Sequence, residues 1–138
     1  MIVVDASVLI AHLDKRVEQH AEAVDVLLDA ADQPLAASPL TSAEVLVGPA
    51  RGDRLDAAVD TLAQLELQEI PFAPDAAARL AVLRASTALK LPDCCVLLAA
   101  QDGRASAILT FDDRLAREAE RLGYGQSGVR PGSDAGGA

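Results

Sequence analysis

Four acidic residues stand where apolar segments end or helices begin: Asp5 in "VDASVLIAHLD", Glu44 in "SPLTSAEVLVG", Asp93 in "LPDCCVLLAA" and Asp112 in "LTFDDRLAREA". A carboxylate at the rim of a hydrophobic core is costly unless something compensates it. Two like charges about 4 Å apart repel by roughly 4 kcal/mol at an effective dielectric near 20. Brought together, the four acids would need protons or cations among them. Oxygen-only ligands, supported by hydroxyls and water, suit Mg²⁺ or Mn²⁺ rather than zinc. Such an ion acidifies water and stabilises charge on a phosphoryl oxygen.

Two of the acids have a plainer explanation available. Asp93 follows Pro92 at the start of a helical pattern, where an acid suits the helix dipole and proline suits the first helical position. Glu44 stands three residues after Thr41, the spacing at which a glutamate returns a hydrogen bond to the helix start. Against that, Ser38-Pro39 is a strong start signal and would put Glu44 in the second turn. Ser7 and Thr110 follow strands at helix starts and are natural N-caps, able also to aim an oxygen at the acids. Asp113, at the threonine-x-x-acid spacing from Thr110, is assigned to capping or solvent. Neither hydroxyl has a histidine placed to activate it, since His12 and His20 fall within helical segments. A Ser-His-Asp site is therefore not expected.

The elements that must position these residues alternate. Strands are expected at 2–4, 35–37, 65–70 and 105–109. Helical spacing runs through Val17, Ala21, Val24, Leu28 and Ala31, and again through Leu55, Ala58, Val59 and Leu62 with Asp53 as cap. Further helices are expected near 75–88, 92–101 and 112–121. Alternation of this kind predicts an α/β domain with a mostly parallel sheet. In such sheets ligands gather outside the carboxyl ends of the strands, where strand order reverses. Asp5 and Asp112 would face each other across that crevice.

Length and composition set the outer bounds. A chain of 138 residues, 51% hydrophobic, suits one domain with a sizeable core. Phe72, Phe111 and Tyr124 are the only aromatics, so a surface that stacks successive bases is not expected. A net charge of -9 disfavours non-specific binding to nucleic acid or anionic membrane unless metal ions or basic patches reverse the field locally. Adjacent Cys94 and Cys95 read as small buried residues in a reducing compartment. No signal peptide or membrane-length apolar run is visible, which makes the cytoplasm the expected location. From Gly125 the chain turns glycine-rich, giving an expected division into a domain at 1–124 and a disordered tail at 125–138.

The four quoted segments, in that order and at those separations over about residues 1–122, resemble the PIN-domain ribonucleases, most of all the VapC-type toxins of bacterial toxin–antitoxin pairs. Each motif alone is weak; the ordered set is specific. The resemblance implies a Rossmann-like three-layer PIN domain with a mostly parallel five-stranded sheet of order 3-2-1-4-5. It implies an acidic site of Asp5, Glu44, Asp93 and Asp112 that binds Mg²⁺ or Mn²⁺ and hydrolyses RNA phosphodiesters, with Ser7 and Thr110 as supporting hydroxyls. It also implies a homodimer, a VapB-type antitoxin that inhibits it, and operator DNA bound only through that antitoxin. An acidic toxin suits a basic partner. The 17–31 helix and the helix pair near 39–64 are the candidate groove.

Three features qualify the match. The strand expected after Leu122 is poorly written. Basic residues near the acids are few: Arg79, Arg84 and Lys90 could rim Asp93, and Arg114, Arg117 and Arg121 could rim Asp112. Finally, a catalytically silent PIN-like interaction module is the standing alternative. A phospho-receiver domain is excluded, because "LELQEI" ends in Pro71 and Phe72 where that class needs an aspartate, and no lysine follows Lys90.

Overall fold

The branched residues at the start of the chain become the middle of a sheet. In the computed structural model, which describes residues 1–125, β1 (Ile2–Val4) lies between two later strands. It is followed by α1 (Ala6–Leu13), α2 (His20–Asp29), β2 (Leu35–Ala37), α3 (Pro39–Arg51) and α4 (Leu55–Gln64). Then come β3 (Gln68–Glu69), α5 (Ala76–Ser86), α6 (Leu91–Asp102), β4 (Ala107–Leu109) and α7 (Asp113–Arg121). The strands run parallel in the order β3-β2-β1-β4, with Val3 opposite both Ala36 and Ile108. This is the expected α/β architecture and the expected order for the strands formed.

Strand alternation divides the core into two layers. Ile2, Val4, Leu35 and Leu109 face α1 and α2, where they meet Val8, Leu9, Val26 and Leu27. Val3, Ala36 and Ile108 face the other way, against Leu97, Ala100 and Leu115 of α6 and α7. Coverage on both faces explains why β1, β2 and β4 are apolar throughout. Helix α6 is buried from Cys94 to Ala100, and small side chains let it lie close to the sheet. Cys94 and Cys95 are free and buried, as expected. No described helix is long and apolar enough to cross a membrane.

Several local expectations are corrected. Helical spacing from Val17 becomes helix only at His20, because Asp14 Oδ1 accepts the Arg16 amide at 2.9 Å and closes a turn that competes with the helix. Asp53 does not cap α4. It has φ 56°, and Arg54 precedes the helix, its amide bonded back to Pro49 O at 2.8 Å. Strand 65–70 shrinks to an exposed two-residue edge, since Glu66 takes a left-handed φ of 55° and Pro71 ends the pairing. Pro92 occupies the second helical position, after Leu91. In place of a described fifth strand, Gly125 makes a single parallel bridge to Ala107, exchanging bonds with Ser106 and Ile108 of 3.0 and 3.1 Å. That bridge extends the sheet on the β4 edge, where the expected order puts strand five. The remainder of the expected tail, 126–138, lies outside the described residues.

Candidate active site

Asp5 leaves β1 at its carboxyl end and stands at the N-cap position of α1, yet its side chain caps nothing. Instead Oδ2 accepts hydrogen bonds from Ser7 Oγ at 2.8 Å and Thr110 Oγ1 at 2.7 Å. Each hydroxyl is itself pinned by an amide: Phe111 N donates to Ser7 Oγ at 3.0 Å, and Asp112 N to Thr110 Oγ1 at 3.0 Å. The Asp5 amide completes the junction by donating to Leu109 O at 2.9 Å. Hydrogen bonds to a charged group contribute about 1.5–3 kcal/mol each, which offsets the cost of holding Asp5 at 7% exposure. Among the described residues Oδ1 has no such bond and stays available.

Asp112 lies three residues beyond the end of β4. It is the N-cap of α7, with Oδ1 accepting from Arg114 N at 2.8 Å and Leu115 N at 3.1 Å. The expected cap, Thr110, is drawn to Asp5 instead, and the helix starts one acid later. Ser7 likewise lies inside α1 rather than before it. Asp93 is the third residue of α6, and the amide of Lys90 donates to its carboxylate, so the helix-start role is real too. Ser38 caps α3 through the Leu40 amide at 3.3 Å, which places Glu44 in the second turn and disposes of its capping-box explanation.

The four acids share an electrostatic field. Burial first, then the charges of Asp5, Asp112 and Glu44, push the Asp93 carboxyl up to about 6. Water withdrawn from its carboxyl, followed by the charge of Asp5, raises Glu44 as well, although much of that side chain is exposed. As placed, no three His, Cys, Asp or Glu side chains among the described residues form a ready coordination shell. The oxygen-only donor set and the mutual repulsion nevertheless match what a divalent cation neutralises.

A cleft of about 400 Å³ opens here, lined by Leu89, Lys90, Asp93, Asp112, Asp113 and Arg114. Of the six cations expected around the acids, only Lys90 and Arg114 line it. Arg79 is held by Asp102 at 2.8 Å and by Asp75 at 3.6 Å, and Arg121 by Glu118 at 2.6 Å. A groove of about 390 Å³ runs from Glu44 past Val45 and Gly48 to Ile10, Leu13 and Ala58. A hollow of about 640 Å³ lies farther off, beside α2 and the start of β2. No histidine joins the acids: His20 Nδ1 is 2.8 Å from Ala11 O, and His12 Nδ1 is buried without a hydrogen-bond partner among the described residues. The amides of Phe111 and Asp112, which hold the hydroxyls in place, carry no sequence signal at all.

A family model described as the PIN domain matches residues 2–121. Among solved structures, a toxin–antitoxin complex from Klebsiella pneumoniae is 28% identical with a TM-score of 0.68, covering 84% of this chain and 91% of that one. VapC20 of Mycobacterium tuberculosis, described as a sarcin–ricin loop cleaving toxin, is 16% identical with a TM-score of 0.70, covering 95% of this chain and 100% of that one. VapBC2 from Rickettsia felis, bound to a promoter DNA fragment, is 15% identical with a TM-score of 0.66, at coverages of 92% and 98%. No curated protein matches the chain in sequence.

Proposed function

The chain belongs to the PIN-domain family, and from that premise we propose that it is a metal-dependent ribonuclease toxin of a type II toxin–antitoxin pair, inhibited by a VapB-type antitoxin. The observation that carries this reading is the convergence of acids from four separate elements, felt at Asp93, whose carboxyl burial first and then the charges of Asp5, Asp112 and Glu44 push up to about 6. Asp5 through its free oxygen, Glu44, Asp93 and Asp112 would hold Mg²⁺, with Mn²⁺ as a substitute. Bound there, the ion supplies positive charge that acidifies water and steadies a phosphoryl oxygen of RNA. Ser7 and Thr110 orient Asp5 and tie the 110–112 segment to it.

Partners follow from the same reading. The groove that begins at Glu44 and the hollow beside α2 fit an inhibiting segment with apolar anchors, and the acidic net charge suits a basic one. A homodimer, operator binding through the antitoxin, and a cytoplasmic location belong to this proposal.

The test is RNA cleavage with Mg²⁺ by wild type and by Asp5→Asn and Asp93→Asn, each matched for folding by circular dichroism. Loss in both variants supports the site; undiminished cleavage by either would falsify its part in it. Expression alone should arrest growth, and a co-expressed antitoxin should restore it. The spacing of the acids short of a coordination shell favours a second reading, a catalytically silent interaction module. Wild-type protein without RNA cleavage or growth effect would select that reading.

A further inference from the structure

Two cations sit where helix electrostatics disfavour them. Lys90 immediately precedes α6, and Arg114 is the second residue of α7. A helix start carries partial positive charge and is better served by an acid than by a base. Both side chains are exposed and line the same cleft as Asp93 and Asp112. Despite those neighbours, neither makes an ion pair or a side-chain hydrogen bond among the described residues. Arg79 and Arg121, by contrast, are spent on Asp102 and Glu118. The chain carries 21 acids against 12 lysines and arginines, so its overall field repels a polyanion and attraction must be local.

We propose that Lys90 and Arg114 grip two phosphates of single-stranded RNA, one on each side of the bond to be cut. This rests on the ribonuclease reading and adds the residues that seat the substrate. One cation stands at the start of α6 near Asp93 and the other at the start of α7 near Asp112, so a strand held by both lies in the cleft those two acids line. A cleft of about 400 Å³ has room for a short stretch of one backbone. No aromatic side chain lines it, so bases are not stacked there and the grip is on phosphate alone. Choice of RNA sequence is then made outside the cleft.

The test is fluorescence anisotropy with a short labelled single-stranded RNA of mixed sequence, in Ca²⁺ buffer, with the RNA checked for integrity. Affinity is measured over a range of salt concentrations. Each released phosphate contact lowers the slope of log K against log salt by about 0.7 for a single strand. Lys90→Ala and Arg114→Ala should each lose about that much, and the double variant about twice it. Lys90→Arg and Arg114→Lys should restore the slope, and Arg104→Ala, at the far end of α6, should leave it unchanged. Unchanged slopes in both cleft variants overturn the proposal while leaving the nuclease reading to its own cleavage test. Equal loss in Arg104→Ala also overturns it, by showing only general charge. A wild-type protein that cleaves RNA yet shows no salt-dependent binding overturns the grip alone; one that neither binds nor cleaves overturns both.

Discussion

Asp93→Asn should make the metal-free protein more stable at neutral pH. The carboxyl is held at about 6 against an ordinary 3.8, so ionising it in the folded state is unfavourable. A gap of roughly two pKa units corresponds to about 3 kcal/mol at most. Asp93 is only half-buried, and solvent screening reduces the expected effect to about 1–2 kcal/mol. Asparagine can still accept the Lys90 amide, so the helix start is kept. The sign follows from linkage: a raised folded pKa means the fold holds the proton more tightly. Relative to the variant, wild type therefore loses stability as pH rises from about 4 to about 6, and the deficit is complete above that. Urea unfolding of both proteins in chelator, from about pH 4 to about pH 7.5, reads this directly. The difference should be near zero at the acid end and reach the full value at the neutral end. A variant that is less stable at neutral pH, or a difference that does not change with pH, would refute the argument that burial and the neighbouring carboxylates together raise Asp93.

Mg²⁺ should reverse that order. Ligand bound to the folded state alone adds about 2.7 kcal/mol at one hundred times its dissociation constant, and wild type should gain far more than Asp93→Asn by the same unfolding assay. Thr110→Val removes both bonds of a buried hydroxyl and should cost about 1–3 kcal/mol, with Thr110→Ser recovering most of it in urea titrations. Asp112→Ala should lose about 1 kcal/mol of cap energy as well as cleavage, whereas Asp112→Asn should lose cleavage alone. Thiol alkylation of Cys94 and Cys95 should be slow until denaturant is added, because burial raises both thiols and bars the reagent.

What the sequence determined was short-ranged. Apolar runs at 2–4 and 35–37 became strands at those residues, because alternating helices leave an apolar strand one stable place, inside a covered sheet. All four acids stood out because a charge at the end of a buried segment needs a reason, and Glu44 was separated from its capping role by Ser38-Pro39 alone. Boundaries at Asp53 and Val17 went wrong where side chains and left-handed turns closed the backbone in ways spacing does not encode.

Tertiary structure decided which oxygen of Asp5 and of Asp112 is engaged and which cations line the cleft unpaired. Thr110 reads as a helix cap from its neighbours, but Asp5 lies 105 residues away in the chain and 2.7 Å away in space. The hydroxyl donates its hydrogen bond to that carboxylate while accepting one from the Asp112 amide, and Asp112 caps the helix in its place. Arg79 and Lys90 look equivalent along the chain; only packing puts Asp102 beside one and open cleft beside the other. Such contacts join elements that local propensity treats as strangers, and only chain closure brings them together.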